Sequence, residues 1–386
     1  MRIGVFGIRD IPSTYSGYET FATTLLPELA RRGHEVVLYT RHEESGGSSY
    51  HGVERRYLPS IRTKQLDTLS HGAISAVRSR FGHHDVVLSF NVANAFFLPA
   101  LTLTGVPTVL NVDGQEWLRG KWGRVGRGVF RGSARLSRFA ATHLVTDCNA
   151  MAEVYRTQFG ADTTVIPYCW APATDLGSSP VSPPSSFGLR DGFFVTGGRL
   201  VPENNIHLIT RSFANTPGDF QLAVLGEANY DSPVTRELRE LAAADSRIHL
   251  LGHISDRSTF FGLLRGARAY LHGHSVGGIN PSMIEAMGAG AVIAAFDTPF
   301  NREPLGGHGL YFRDAASAFP DVLAQLERLP VDPAVLREGA RDTVAGAYTV
   351  ADVSDAYEAA LQATVDRRAR SIDTKWSRER VDAGVA

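Results

Sequence analysis

Two cysteines, Cys148 and Cys169, are all that the 386 residues carry. They make no disulfide framework, and a reducing compartment is the simpler reading. Long apolar runs are missing as well: no stretch reaches the roughly 18 apolar residues that a membrane-crossing helix needs. The opening Met1-Arg2-Ile3-Gly4-Val5-Phe6-Gly7 is too short and too soon interrupted for a signal peptide. A cytoplasmic chain is predicted, with any membrane contact peripheral. Neither sign of charge dominates, since the formal net charge is -1, and this balance gives no argument for a nucleic-acid partner. No Asp-x-Asp or carboxylate cluster suits a hard cation such as Mg²⁺, so no metal or other cofactor is expected.

What is present is enough for two cores. Hydrophobic residues make up 43% of the chain, and its length fits two domains of ordinary size. Short apolar runs alternate with longer amphipathic stretches, the mark of parallel sheets covered by helices. In the first half this predicts strands over 3–6, 35–39, 86–90, 108–111, 143–146 and 164–166, with helices near 18–32, 66–81, 93–103 and 149–159. The second half predicts strands over 193–196, 222–225, 249–251, 269–272, 292–296 and 310–312. Its helices fall near 206–213, 234–243, 257–265, 281–287 and 316–326. Between the halves, Ser-Ser-Pro-Val-Ser-Pro-Pro-Ser-Ser holds neither helix nor central strand. The organisation expected is α/β: a Rossmann-like domain over 1–170, a linker over 171–190, a second Rossmann-like domain over 191–349, and a helix with a polar, fraying tail over 350–386.

Ligands of such sheets bind beyond the carboxyl ends of the strands, and four loops at such places carry unusual residues. After Leu271 comes His272-Gly273-His274-Ser275-Val276-Gly277-Gly278-Ile279-Asn280-Pro281-Ser282-Met283-Ile284-Glu285. Gly277 and Gly278 let a backbone approach a ligand closely, Asn280 is a good N-cap, and Pro281 is a good first helical residue. A helix so begun offers amides, that of Ser282 among them, to an anion such as a diphosphate. Glu285 follows about 6 Å along the axis, placed either to accept from ribose hydroxyls or merely to complement the helix dipole. After Thr196, Gly197-Gly198-Arg199-Leu200-Val201-Pro202-Glu203-Asn204 brings an arginine to the sheet edge, either to fork onto a diphosphate or to pair with Glu203.

The exit of the first strand, Gly7 to Glu19, is not G-x-G-x-x-G, so nicotinamide binding is a poor reading. Ser16-Gly17 could admit a phosphate or be a structural turn. In Asn111-Val112-Asp113-Gly114-Gln115-Glu116-Trp117, Asp113 and Glu116 directly follow an apolar strand. They are candidates to orient or deprotonate an acceptor hydroxyl, or simple helix caps. Further on, the segment 117–139 carries Arg119, Lys121, Arg124, Arg127, Arg131, Arg135 and Arg138 with no acid after Trp117. Trp117, Trp122, Val125, Val129, Phe130, Leu136 and Phe139 lie among them. This predicts contact with an anionic membrane through Arg124, Arg127 and Arg131, with an acceptor pyrophosphate or a solvated face as the alternatives.

Gly-Gly-Arg-Leu-Val-Pro-Glu at 197–203 and Pro-Ser-Met-Ile-Glu-Ala-Met at 281–287 resemble the donor-binding motifs of glycosyltransferase family 4, retaining enzymes of the GT-B fold. With Arg9-Asp10-Ile11-Pro12, Ser16-Gly17-Tyr18-Glu19, the 111–117 and 272–278 segments and Glu203-Asn204-Asn205, the chain resembles the bacterial polysaccharide rhamnosyltransferases over residues 1 to about 350. The resemblance implies two sheets facing across a cleft. It also implies retention at the anomeric carbon, dTDP-L-rhamnose as the donor, and a polysaccharide or lipid-linked acceptor. Taken with the reading of the loops, donor binding is expected of Gly17, Gly198, Arg199, Asn204, Gly277, Gly278, Asn280, Ser282 and Glu285, catalysis of Asp113, Arg199 and Glu285, and the acceptor side of Asp113 and Glu116. Gly277 stands where most of that family has a sugar-contacting Glu, Asn204 where many have Lys, and Asp113 where many have His. The alternatives are a UDP- or GDP-hexose donor, an epimerase or hydrolase on the same fold, and a non-catalytic sugar-binding protein.

Overall fold

The computed structural model describes residues 1–12, 17–41, 47–61, 63, 66–120, 122–170, 187–227 and 231–382. Most of the predicted linker and the Ser13–Ser16 part of the first loop lie outside them. The chain divides into two compact units: Met1–Trp117, Arg124–Cys169 and Val350–Ala386 form one, Leu118–Gly123 and Trp170–Thr349 the other.

The first unit runs β1 (Arg2–Phe6), α1 (Gly17–Arg31), β2 (Glu35–Thr40), β3 (Ser49–Tyr50), β4 (Val53–Tyr57), α2 (Asp67–Arg80), β5 (Val86–Phe90), α3 (Pro99–Thr102), β6 (Thr108–Asn111), α4 (Arg124–Ala140), β7 (His143–Thr146), α5 (Asn149–Phe159) and β8 (Thr164–Val165). The eight strands lie in the order β3-β4-β2-β1-β5-β6-β7-β8. All are parallel except β3, which pairs antiparallel with β4. Strand β5 is buried through its length and β1 from Ile3 to Phe6, as parallel strands covered on both faces must be.

The second unit runs β9 (Phe194–Gly197), α6 (Ile206–Ala214), β10 (Leu222–Leu225), α7 (Pro233–Ala244), β11 (Ile248–Gly252), α8 (Arg257–Gly266), β12 (Ala269–His272), α9 (Pro281–Ala289), β13 (Ile293–Phe296), α10 (Pro299–Leu305), β14 (Leu310–Phe312), α11 (Ala318–Glu327) and α12 (Pro333–Ala347). Its six parallel strands lie in the order β11-β10-β9-β12-β13-β14. A rosette of Phe194, Phe213, Phe220 and Phe319, with ring centroids 4.7–5.9 Å apart, fills its centre.

Helix α13 (Val350–Asp382) returns to the first unit. It packs on α1, β5 and β6, and Val353, Tyr357, Ala360 and Leu361 join the core built by Ile3, Val5 and Leu88. The polar stretch after 370, expected to fray, is helical as far as Asp382.

The other differences have local causes. The helix expected over 93–103 is broken into a 3-10 turn, Val92–Phe96, and the short α3, because Pro99 withholds an amide. Strand β4 escaped notice because Val-Glu-Arg-Arg-Tyr does not read as apolar. Its Arg55 is nevertheless buried, paired with the buried Asp10 at 3.1 Å. Helices α10 and α12 were also unforeseen; both start on the pattern of a capping Thr298 or Asp332 followed by proline.

Candidate functional site

In each sheet the first strand sits centrally and the chain crosses to either side of it, so the order reverses beside that strand. In the second unit this switch point lies between β9 and β12, where an open α/β sheet takes its ligand. The two loops that carry the sequence motifs, after Gly197 and after His272, both leave the sheet there. Gly198, Arg199, Asn204, Gly277, Gly278, Asn280, Ser282 and Glu285 are thereby brought to one edge.

The loops are stitched together by side chains acting on backbone. Asn205, itself in the left-handed region at φ 55°, donates through Nδ2 to the Gly273 carbonyl at 2.8 Å. Both the amide and the hydroxyl of Ser275 donate to the Glu203 carbonyl, at 3.0 and 2.9 Å. Asn204 is buried, and its Nδ2 donates to the Arg199 carbonyl at 2.8 Å. It therefore shapes the arginine's loop from beneath. Gly226, at the end of β10, closes the stack: a Cβ there would lie 2.0 Å from the Gly198 oxygen.

Arg199 is exposed, and among the described residues its guanidinium has neither an ion pair nor a hydrogen bond. The alternative of a pair with Glu203 is not what the fold makes: Glu203 is buried beneath the loop, with its Oε2 unpartnered.

Asn280 caps α9 as its sequence foretold, accepting from the Ser282 amide at 3.1 Å and the Ser282 hydroxyl at 2.7 Å. The first helical amides are thus already used, Met283 donating to the Asn280 carbonyl at 2.9 Å. The open donors lie one step earlier. Among the described residues, the amides of Val276, Gly277, Gly278, Ile279 and Asn280 donate no hydrogen bond. Gly277 adopts φ 122°, and nothing lies within 4 Å of where its Cβ would be. Such a row of unspent backbone donors at a helix start is an anion cradle.

Glu285, one turn on, is gripped by a residue that no short motif could reveal: Arg257, at the start of α8, donates to its Oε1 at 2.6 Å. Burial raises the carboxyl above its ordinary range, and Arg257 opposes that shift. The second oxygen, Oε2, accepts no hydrogen bond among the described residues. The pair can offer a ligand one acceptor and one partly exposed cation side by side.

His272 and His274 have a His-x-His spacing, but their rings stack, with centroids 4.3 Å apart and planes at 13°. Among the described residues no three His, Cys, Asp or Glu side chains are grouped as metal ligands.

In the first unit, Gly17 begins α1, while Ser16 lies outside the described residues. Asp113 follows β6 at φ 58°, a left-handed conformation uncommon outside glycine. Its amide donates to Asn111 Oδ1 at 2.9 Å, and its Oδ1 accepts from the Tyr168 hydroxyl at 3.2 Å. Burial, with the charges of Asp113 and Asp147 nearby, pushes the Tyr168 phenol well above its usual range, so it stays a donor to that carboxylate. Glu116 is buried at the start of a 3-10 turn, Glu116–Leu118.

The basic segment forms α4 in spite of its glycines. Phe130, Ser133, Ala134, Ser137 and Ala140 face inward and pack on the Val92–Phe96 turn and on α5. Arg124, Arg127, Arg131 and Arg135 are exposed with no ion pair among the described residues. Of the apolar residues, Trp117 and Phe130 are core, Trp117 packing edge-on against Tyr155 and Phe159. Val125 and Phe139 stand in solvent, at 82% and 71% exposure.

Comparison with known proteins agrees with this architecture. Residues 16–169 match the model of a glycosyltransferase 4-like domain. No curated protein matches the sequence. Among solved structures, HepE of Anabaena in complex with UDP is similar at 14% identity and a TM-score of 0.73, over 94% of this chain and 100% of that one. Sucrose-phosphate synthase of Thermosynechococcus elongatus is similar at 16% identity and a TM-score of 0.71, over 92% and 97%. The UDP-forming alpha,alpha-trehalose-phosphate synthase of Burkholderia vietnamiensis is similar at 12% and 0.70, over 94% and 100%. At these identities the likeness is one of fold: the chain carries the GT-B fold of two Rossmann-like domains, and the glycosyltransferase 4-like match falls within the first of them.

Proposed function

We propose that the chain is a retaining glycosyltransferase that takes a sugar from a nucleoside diphosphate bound at the switch point of the second unit. One observation carries this reading. At that edge five successive backbone amides and the Arg199 guanidinium have no acceptor of their own among the described residues. As the bond between anomeric carbon and phosphate oxygen breaks, negative charge grows on the leaving diphosphate. Donors already fixed in place stabilise that charge without reorganising. Glu285 Oε2 takes the ribose hydroxyls. The acceptor hydroxyl attacks from the face the diphosphate leaves, and its proton passes to the leaving phosphate. Asp113, held by Tyr168, and Glu116 act on the acceptor side. No metal takes part.

The donor proposed is dTDP-L-rhamnose, on the sequence motifs, and the acceptor a polysaccharide or lipid-linked glycan of the bacterial surface. The second reading is a UDP-sugar donor, since HepE was solved with UDP and with UDP-glucose. A thermal-shift panel of dTDP-L-rhamnose, UDP-glucose and GDP-mannose, with and without chelator, decides between them, because a ligand that binds only the folded state raises the melting point. The largest shift is expected with dTDP-L-rhamnose, unchanged by chelator. If no nucleoside diphosphate sugar moves the melting point, the donor site is refuted. Turnover of a donor without acceptor would favour a hydrolase or epimerase.

A lipid-linked acceptor sits in a membrane, and we assign that contact to α4, a peripheral one at the inner face. No described helix is long and apolar enough to cross a bilayer. Its exposed arginines, with Val125 and Phe139 beside them, suit an anionic surface. Co-sedimentation should rise with the anionic lipid content of vesicles and fall with salt. Replacing Arg124, Arg127 and Arg131 by Ser should abolish it; binding that survives this change removes α4 from the contact.

A further inference from the structure

The stacked histidines after β12 enter none of the steps above, yet they lie where the two motif loops meet. His272 is fully buried, and His274 is 9% exposed. Their four ring nitrogens have different fates. His272 Nδ1 lies 3.2 Å from the Tyr270 hydroxyl, and that hydroxyl donates to the Gly197 carbonyl at 3.3 Å. A hydroxyl has one proton, so when it goes to the carbonyl the oxygen accepts from the ring and Nδ1 of His272 carries the hydrogen. Nε2 of His272 is sealed and bare.

His274 is the mirror case. Its Nδ1 is buried with no partner. Its Nε2 is neither hydrogen-bonded nor sealed, and lies on the side of Gly198, where an added Cβ would be 3.2 Å away. An orphaned N–H is rarer in folded proteins than an orphaned lone pair. The proton of a neutral His274 therefore belongs on Nε2, the open nitrogen. Burial, reinforced by the neighbouring His272 ring and the charges of Arg199 and Arg119, holds the imidazole well below its usual range, so neutral is its state near pH 7. The ring is confined. It is stacked on His272, and its own carbonyl is held by Asn301 Nδ2 at 2.9 Å. Gly198, at φ 137°, leaves the space through which Nε2 is reached.

A fixed N–H beside an unpaired arginine is suited to an oxyanion rather than to a neutral hydroxyl. We propose that His274 is a donor-contacting residue, whose Nε2–H hydrogen-bonds to an oxygen of the terminal phosphate of the bound nucleoside diphosphate. The proposal rests on the donor-site reading and adds a directional contact that discriminates a diphosphate from a monophosphate. Arg199 supplies charge to that phosphate, and His274 fixes its orientation through a neutral donor that neither gains nor loses a proton in the reaction.

The test is calorimetric titration of UDP, UMP, dTDP and dTMP into the intact protein and three variants. His274→Phe keeps the stacked ring and removes the donor. His274→Gln places an amide N–H near the position of Nε2, and His274→Asn places one near Nδ1 instead. Loss of a hydrogen bond to a charged group weakens binding roughly tenfold or more. His274→Phe should therefore lose at least that factor for UDP and dTDP and keep the wild-type affinity for UMP and dTMP. His274→Gln should recover most of the loss, and His274→Asn should not. An equal loss for mono- and diphosphates, or no loss, overturns the proposal. So does equal behaviour of the Gln and Asn variants, a comparison that stands even if the Phe variant does not fold. Wild-type protein that binds none of the four nucleotides refutes the donor site itself, a different failure from the loss of discrimination alone.

Discussion

The two sheets share a plan, with the first strand central and the order reversing beside it, but their carboxyl edges are finished in opposite ways. In the first unit the described part of the edge is closed from within. Gly7 is pressed against the Phe90 carbonyl, which Asn94 Nδ2 also holds at 2.6 Å. Asn91 caps the turn behind it. Asp10 is paired with Arg55, Glu19 accepts from the Arg9 amide at 3.2 Å, and Asn111 donates to the Tyr357 hydroxyl at 2.6 Å. In the second unit the corresponding loops spend their side chains on holding backbone in place and leave amides and a guanidinium unspent. Polar groups satisfied inside a fold add stability, whereas groups left open toward solvent are available to a ligand. The same architecture thus yields one edge whose described polar groups are chiefly bonded within the fold and one that keeps a row of donors open.

Substitutions can break this contrast or sharpen it. The largest effect is expected from Gly226→Ala. The residue has φ 121°, and an added Cβ meets the Gly198 oxygen, so the donor loop must move. A loss of about 2–4 kcal/mol in stability, together with loss of nucleotide binding, should appear in denaturant unfolding and calorimetry. Next come Arg199→Ala, which removes a ligand contact without removing framework, and Glu285→Ala, which removes a ligand contact and also leaves Arg257 without its partner. Each should lower kcat/KM at least tenfold, the equivalent of about 1.5–3 kcal/mol for a charge-assisted bond, with the melting point nearly unchanged in Arg199→Ala and lowered in Glu285→Ala. Full activity in either variant would contradict its assignment. Smallest is Asn94→Ala in the first unit, which removes the Nδ2 hydrogen bond to the Phe90 carbonyl. It should cost about 1–2 kcal/mol of stability and leave nucleotide affinity as it was. A change in that affinity would show that the framework edge also serves the ligand.

Much of this was legible in the chain. Strands β5, β6, β7, β10, β12 and β14 lie where alternation of apolar runs put them, and the Asn280-Pro281 start of α9 was readable from its residue types. What was hidden depends on long-range partners. Arg257 reaches Glu285 across 28 residues, and nothing in either segment announces the other. The burial of Arg55 in β4 is intelligible only once Asp10 is beside it. The left-handed turn at Asp113 is fixed by Asn111 and Tyr168, not by a glycine that the eye would catch. Of the amides expected to serve an anion from Gly277 to Ser282, those of Gly277, Gly278, Ile279 and Asn280 are free, whereas that of Ser282 is consumed by the cap that makes the helix start.

Helix α13 has a consequence for how the protein is made. It completes the core of the first unit, yet the ribosome reaches Val350 only after the whole of Trp170–Thr349 has been synthesised. Domains usually fold in the order in which they emerge, at about 5–20 residues per second. Here the earlier part of the chain waits roughly ten to forty seconds with the apolar surface around Ile3, Val5 and Leu88 lacking the Tyr357 and Leu361 that will cover it. The second unit, encoded later, has every residue of its own before the first unit does. Assembly thus runs against the direction of translation, and the nascent first unit is the part most exposed to aggregation and to capture by chaperones.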